Sequence, residues 1–310
     1  MTDKKKLSKL IINKSRELGF SFCGIAKCEA LDWHRPLLEK WLEKGYQADM
    51  AWMEQNNDKR LDPSLLVNGA RSVIVLAYNY YQEYPAANDK PLFSRYALGK
   101  DYHKVLKDKI YILLEELRSA AGKVEGRVFV DSAPLLERAW AEKAGLGWIG
   151  KNSMLINPRE GSWFFLGELV IDLELDYTGE RIRDYCGSCT KCIDACPTGA
   201  ITESRTLDSS KCISYLTIEK KGNFSDSERT QLNNYVFGCD ICQEICPWNK
   251  KAKPTDEKAF SPLSQLLVYK PDDWQKITED EFSSIFRESP VLRTGYEGFK
   301  RNIAAVSELY

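Results

Sequence analysis

The chain of 310 residues contains no run of eighteen apolar residues, so no membrane-spanning helix is expected, since one needs about 20 in succession. Its opening, MTDKKKLSKLIINKSRELGF, is charged and amphipathic and has neither the apolar core of a secretory signal nor a twin arginine. A large excess of either charge is also missing: 44 Lys+Arg against 45 Asp+Glu leave a net charge of −1. Bulk electrostatics therefore gives no attraction to nucleic acid, and a polyanion partner would have to meet a local basic patch. No G-x-G-x-x-G follows a strand. The glycines of AGLGWIG, 145, 147 and 150, come after a helical pattern instead of opening one, so the dinucleotide fingerprint is absent. Together these absences predict a soluble, cytoplasmic protein, here expected to be a monomer.

Cysteine, by contrast, is plentiful, with ten residues. In a reducing compartment they are not expected to form disulfides. Cys23 and Cys28 stand apart and read as small buried hydrophobes. The other eight lie between Cys186 and Cys246. Cys186, Cys189, Cys192 and Cys196-Pro197 match the C-x2-C-x2-C-x3-C-P run of bacterial ferredoxins, whose fourth cysteine ligates the other cluster. Cys239, Cys242 and Cys246-Pro247 repeat the final spacings, but Val236 stands where the first cysteine belongs. Cys212 is left to fill that vacancy. The cross-over rule then assigns Cys186, Cys189, Cys192 and Cys246 to one 4Fe-4S cluster, and Cys196, Cys212, Cys239 and Cys242 to a second. Two structural zinc sites would normally show two separated C-x2-C knuckles instead.

Upstream, apolar residues recur at helical spacing from Leu7 to Leu18, and Gly19 marks the stop. RSVIVLAYNYY from Arg71, RVFVD ending at Asp131, and WFFLGELVIDLEL from Trp163 read as strands. A long helix is predicted over 102–121 and another from about Pro134, with Ser132 as a possible cap. This alternation points to an α/β or α+β domain. Its Asp131 lies at the end of a strand, where open α/β sheets place ligands. Such an aspartate also serves as a helix cap, and position alone leaves both roles open.

The segments DSAPLLERAWAEKAGLGWIGKNSMLI, CGSCTKCIDACPTGAI, KCISYLTIE and GCDICQEICPWNK together resemble the epoxyqueuosine reductases, cobalamin-dependent enzymes of queuosine synthesis in tRNA. The likeness extends through DKRLDPSLLVNGARSVIVLAYNY, SRYALGKDYH and VLRTGYEGFKRN. Many family members carry further HEAT-like helical repeats, which this chain does not show. The resemblance implies a mixed α/β cobalamin-binding catalytic domain at 1–175, a bacterial ferredoxin-like domain with two 4Fe-4S clusters at 176–253, and a short helical appendage at 254–310. It places the family's catalytic acid at Asp131, whose carboxyl must be protonated at working pH and so should be raised by an apolar cofactor face.

By analogy, Arg60, Tyr96, Lys151, Asn152, Ser153, Ser214 and Asp240 are further candidates for cobalamin or substrate contact. The implied partners are tRNA carrying epoxyqueuosine and a low-potential electron donor. Lys250, Lys251, Lys253, Arg293, Lys300 and Arg301 are candidate phosphate contacts. The two histidines sit in Asp32-Trp33-His34 and Asp101-Tyr102-His103, but Leu37 and Leu106 replace the glycine of the D-x-H-x-x-G loop that brings histidine to cobalt in some cobalamin enzymes. A reductive dehalogenase, a cobalamin chaperone, and a non-catalytic electron carrier or redox sensor are the rival functions.

Overall fold

In the computed structural model, residues 4–84 and 91–307 are described. The N-terminal part is built on a four-stranded sheet of β1 (Phe22–Lys27), β2 (Ser72–Asn79), β3 (Gly126–Phe129) and β4 (Phe164–Ile171), in the order β1-β2-β4-β3. All three pairings are antiparallel. Of the two expected classes, the sheet is therefore that of an α+β domain, and the ligand rule for parallel sheets does not explain its site. β2 is buried along nearly all its length, as its unbroken apolar run requires. The helix α1 (Lys4–Glu17) and the long α2 (Tyr102–Ala121) cover one face through Ile11, Leu106, Ile110, Leu113 and Leu117. The short α3 (Glu137–Lys143) covers the other through Ala139, Trp140 and Ala141.

Beyond the sheet, α4 (Lys191–Asp194), α5 (Ile213–Ile218), β5 (Tyr235–Phe237) and α6 (Ile241–Glu244) carry the cysteine loops. β5 pairs in parallel with Leu92–Phe93, tying this region to the first. The tie is close: a Cβ on Gly238, which has φ +70°, would lie 2.5 Å from Ser94 Cβ. A second tie is a buried network. Gln243 Nε2 donates to the Ser162 carbonyl at 3.1 Å, and Asn249 Nδ2 donates to Ser162 Oγ at 2.9 Å and to the Gln243 carbonyl at 2.7 Å.

The residues after 253 are not an appendage in their packing. Leu266, Trp274, Phe282, Phe286 and Val291, with Phe299 and Ile303 of α7 (Gly295–Ser307), share one core with Phe93, Ile213, Leu216 and Phe237. Phe260 enters the core of the sheet instead. Among the described residues, no helix is long and apolar enough to cross a membrane.

Candidate active site and cluster-binding region

β3 ends at Phe129, and α3 begins only at Glu137, later than the sequence pattern predicts. Asp131 lies in the irregular segment between them, in the left-handed region at φ +49°. That conformation costs a non-glycine residue roughly 1–2 kcal/mol, although aspartate tolerates it better than most. Asp131 is not a helix cap: Leu136 occupies the N-cap of α3, without a side-chain cap. Its backbone N–H donates to Glu137 Oε1 at 2.5 Å. The Tyr102 hydroxyl donates a hydrogen bond to Asp131 Oδ2, and His103 Nε2 lies 3.8 Å from that oxygen.

Tyr102 and His103 open α2, where Asp101 is the N-cap and accepts the His103 N–H at 2.9 Å. The second Asp-x-His group is thus a helix start whose histidine leans toward Asp131. The Asp131 side chain remains 59 % exposed and faces a cavity of about 1390 Å³. Ordinary small-molecule sites span about 300–1,000 Å³, so this one has room for a larger occupant.

Arg60 and Ser153 also line the cavity. Arg60 is buried, donates from Nη2 to the Trp52 carbonyl at 3.0 Å, and leaves Nε without a partner. His34 Nε2 is likewise buried, unpartnered and at the cavity wall, and burial pushes this imidazole down to about 4. Trp33 and Trp52 are exposed there, with Arg181 over Trp33 at 5.5 Å and Arg293 over Trp52 at 5.3 Å. Arg138, Arg183 and Arg205 are also on the lining, together with Asp131, Glu137, Glu142, Asp184 and Glu203, and Arg181, Arg205 and Arg293 are paired with Glu142, Asp184 and Glu219.

The other candidates have different surroundings. Asn152 ties the wall to the cysteine region by donating to the Cys242 carbonyl at 3.2 Å. The Lys151 carbonyl accepts the Arg205 N–H at 3.0 Å. Asp240 is buried under Ser94 and Arg95, whose backbone N–H reaches Oδ2 at 2.7 Å, so its carboxylate is engaged within the protein. Ser214 follows Cys212 on α5, and its backbone supports that sulfur. Tyr96 bridges the two regions, its ring 6.2 Å from Tyr102 and 6.0 Å from Phe237.

Of the basic residues expected at phosphate, Arg293 is the one on the cavity lining. The Arg301 guanidinium is occupied by the carbonyls of Lys220 and Gly222, both at 2.8 Å, and of Leu216 at 3.0 Å. Lys300 is bonded to the Gln275 carbonyl.

The eight clustered cysteines fall into two neighbourhoods. Cys246 lies within electrostatic range of Cys186 and Cys189, and Cys192 within range of Cys246 and Cys186. Cys239 and Cys242 lie within range of Cys212, and Cys196 within range of both Cys212 and Cys242. Cys192 also lies near Cys242, so the neighbourhoods adjoin. Trp148 Nε1 donates toward Cys186 Sγ at 3.4 Å. Cys23 and Cys28 lie elsewhere, and burial pushes their thiols up to about 12 and about 11, so they stay protonated and unreactive.

Residues 185–249 match the family described as "4Fe-4S double cluster binding domain", and residues 60–132 match "Epoxyqueuosine reductase QueG, DUF1730". An epoxyqueuosine reductase of Leadbetterella byssophila is 51 % identical over 302 residues, covering 97 % of this chain and 99 % of the relative. The chain belongs to the epoxyqueuosine reductase family. It is an oxidoreductase with a double 4Fe-4S cluster domain.

The Escherichia coli epoxyqueuosine reductase is 40 % identical over 308 residues, with 97 % of this chain and 81 % of the relative covered. Among solved structures, an epoxyqueuosine reductase with an epoxyqueuosine-modified tRNA-Tyr stem loop superposes with a TM-score of 0.91 at 30 % identity, covering 98 % of this chain and 81 % of the other. The Bacillus subtilis epoxyqueuosine reductase, solved with an aspartate-bearing catalytic loop swung out of the active site, gives a TM-score of 0.90 at 29 % identity, covering 99 % and 85 %. These full-length matches favour neither a dehalogenase nor a carrier.

The residues that sequence reasoning missed are Tyr102, Glu137 and Glu168, together with the aromatic and arginine lining. One signal was available: Glu168 is a charge in the middle of the apolar strand FFLGELVI.

Proposed function

We propose that this chain reduces epoxyqueuosine to queuosine in tRNA, with cobalamin held in the cavity faced by Asp131 and electrons arriving through two 4Fe-4S clusters. Removing the epoxide oxygen as water and leaving a carbon–carbon double bond takes up two electrons and two protons. Cobalamin, when bound, supplies a low-valent cobalt able to deliver the electrons. The chain's own groups direct the rest. Asp131 gives one proton to the departing oxygen, and solvent water supplies the second. Tyr102 fixes the orientation of that carboxyl, and its exposure leaves it within reach of a substrate in the cavity.

The observation that carries this reading is the Asp131 carboxyl, oriented by Tyr102 on the wall of a 1390 Å³ cavity beside the cysteine region. The cavity fits the cofactor. The unpartnered Arg60 Nε and His34 Nε2 offer polar contacts for its amide side chains, and Trp33, Leu37 and Trp52 offer apolar surface. Of the remaining candidates, Ser153 would line the cofactor, while Tyr96, Lys151, Asn152, Ser214 and Asp240 would hold the wall and the cysteine loops in place. Exposed tryptophans suit the stacking of anticodon-loop bases, and the surrounding arginines suit phosphate.

We assign Cys186, Cys189, Cys192 and Cys246 to one cluster and Cys196, Cys212, Cys239 and Cys242 to the other, in a soluble monomer of the cytoplasm served by a low-potential donor. Anaerobic incubation of the cobalamin-loaded, cluster-replete protein with an epoxyqueuosine stem-loop and a strong reductant should yield queuosine by mass spectrometry, and omission of cobalamin should abolish it. A loaded enzyme that produces no queuosine would refute the proposal.

A further inference from the structure

Glu168 is wholly buried in the middle of β4, and neither carboxyl oxygen receives a hydrogen bond. The side chain it meets at hydrogen-bonding range is Glu137. Two carboxylates cannot hydrogen-bond to one another, and an ionised one here would lack both water and a donor, so a proton must sit between them. The other role of Glu137 is to accept the Asp131 N–H at 2.5 Å, which holds that residue at φ +49°.

We infer that Glu137 and Glu168 share a proton and form a positioning pair, which locks the Asp131 segment with its carboxyl facing the cavity. The inference rests on the reading of Asp131 as the proton donor. Glu168 is fixed by the ladder on both sides, opposite Val75 and Phe129. Glu137 is at the cavity wall and has room to move. Loss of the shared proton places two anions in contact, and Glu137 is the one that withdraws. The Asp131 N–H then loses its acceptor, and the left-handed turn loses what over-determined it.

The groups acting on the pair fit this account. Burial raises both carboxyls above their usual range and Asp131 adds to this at both; Glu137 raises Glu168 further, whereas the hydrogen bond with Glu168 lowers Glu137. Arg138 also lowers Glu137. From α2, the Tyr102 hydroxyl faces the same group of acids.

The test uses cobalamin-loaded holoenzyme and the epoxyqueuosine stem-loop. Infrared spectroscopy at neutral pH should show a buried protonated carboxyl that is lost in Glu168→Gln or Glu137→Gln. Glu137→Ala should lower kcat about 10- to 100-fold with little change in KM, the scale expected of a misplaced catalytic group. Glu137→Gln should recover most of that loss, because its amide oxygen still accepts the Asp131 N–H. It should also move the alkaline limb of the kcat profile. A purely structural glutamate would leave that limb unmoved. Absence of the protonated-carboxyl band, Glu137→Ala within about twofold of the parent kcat, or an unchanged alkaline limb in Glu137→Gln would each overturn the inference. Full turnover by Asp131→Asn with the infrared band intact would instead overturn the reading of Asp131 on which it rests.

Discussion

The cysteine region and the Asp131 wall are built in opposite ways. In the cysteine region seven of the eight clustered cysteines come from two short stretches, 186–196 and 239–246, whose spacing is itself the pattern of ligands. The Asp131 wall is assembled from Arg60, Tyr102, Asp131, Glu137, Ser153 and Glu168, scattered over more than a hundred residues and joined only by the antiparallel sheet and the helices on it. The first arrangement suits electron delivery, which needs metal centres held close together. The second suits proton chemistry, which depends on the burial and contacts of single carboxyls.

That contrast can be broken most severely at Cys212, the ligand that spacing alone does not supply. Cys212→Ala is expected to abolish turnover and to lower bound iron to about half, since it should remove one of two clusters; iron analysis and electron paramagnetic resonance check this. Full iron content with retained activity would show that Cys212 is not a cluster ligand.

A smaller effect sharpens the other side. Glu168 is held above its ordinary carboxylate range by burial and by Glu137. The folded state therefore binds more protons than the unfolded chain once the pH exceeds about 4.3, and stability falls as the pH rises from there toward the folded value. Glu168→Gln has no such proton to lose. Thermal unfolding should accordingly show a flatter decline in Tm between acidic and alkaline pH for the variant than for the parent. Parallel curves would mean that Glu168 is ionised in the folded protein.

The same contrast explains what could be read in advance. The helix Tyr102–Ala121 and the strands at 72–79 and 164–171 follow their apolar periodicity closely. β1 was missed because FCGIAK carries little alternation. Its Gly24 is there for clearance, since a Cβ would lie 2.3 Å from the Ala144 carbonyl oxygen. Alternating strands and helices left the parallel arrangement open, whereas the pairings are antiparallel, which is a matter of connection and not of local pattern. At the site, Asp131 was legible from its place between a strand and a helix together with the family resemblance. Its expected cofactor-facing environment is open in the chain itself, and burial instead acts on Glu137 and Glu168 behind it. Those two were illegible because a glutamate in the first turn of a helix is ordinary, and the burial of Glu168 follows only from the packing of β4 beneath α3.

The account divides electron supply from proton delivery, and one measurement tests that division most directly. Asp131→Asn, loaded with cobalamin and both clusters, would be reduced anaerobically, and formation of queuosine from the epoxyqueuosine stem-loop followed in a single turnover. The prediction is that the clusters and cobalt are reduced as in the parent protein, seen by electron paramagnetic resonance, while product formation slows by about 10²- to 10⁴-fold, the usual contribution of a positioned acid. Product formation at the parental rate, with both cofactors reduced, would contradict the assignment of Asp131 as the proton donor.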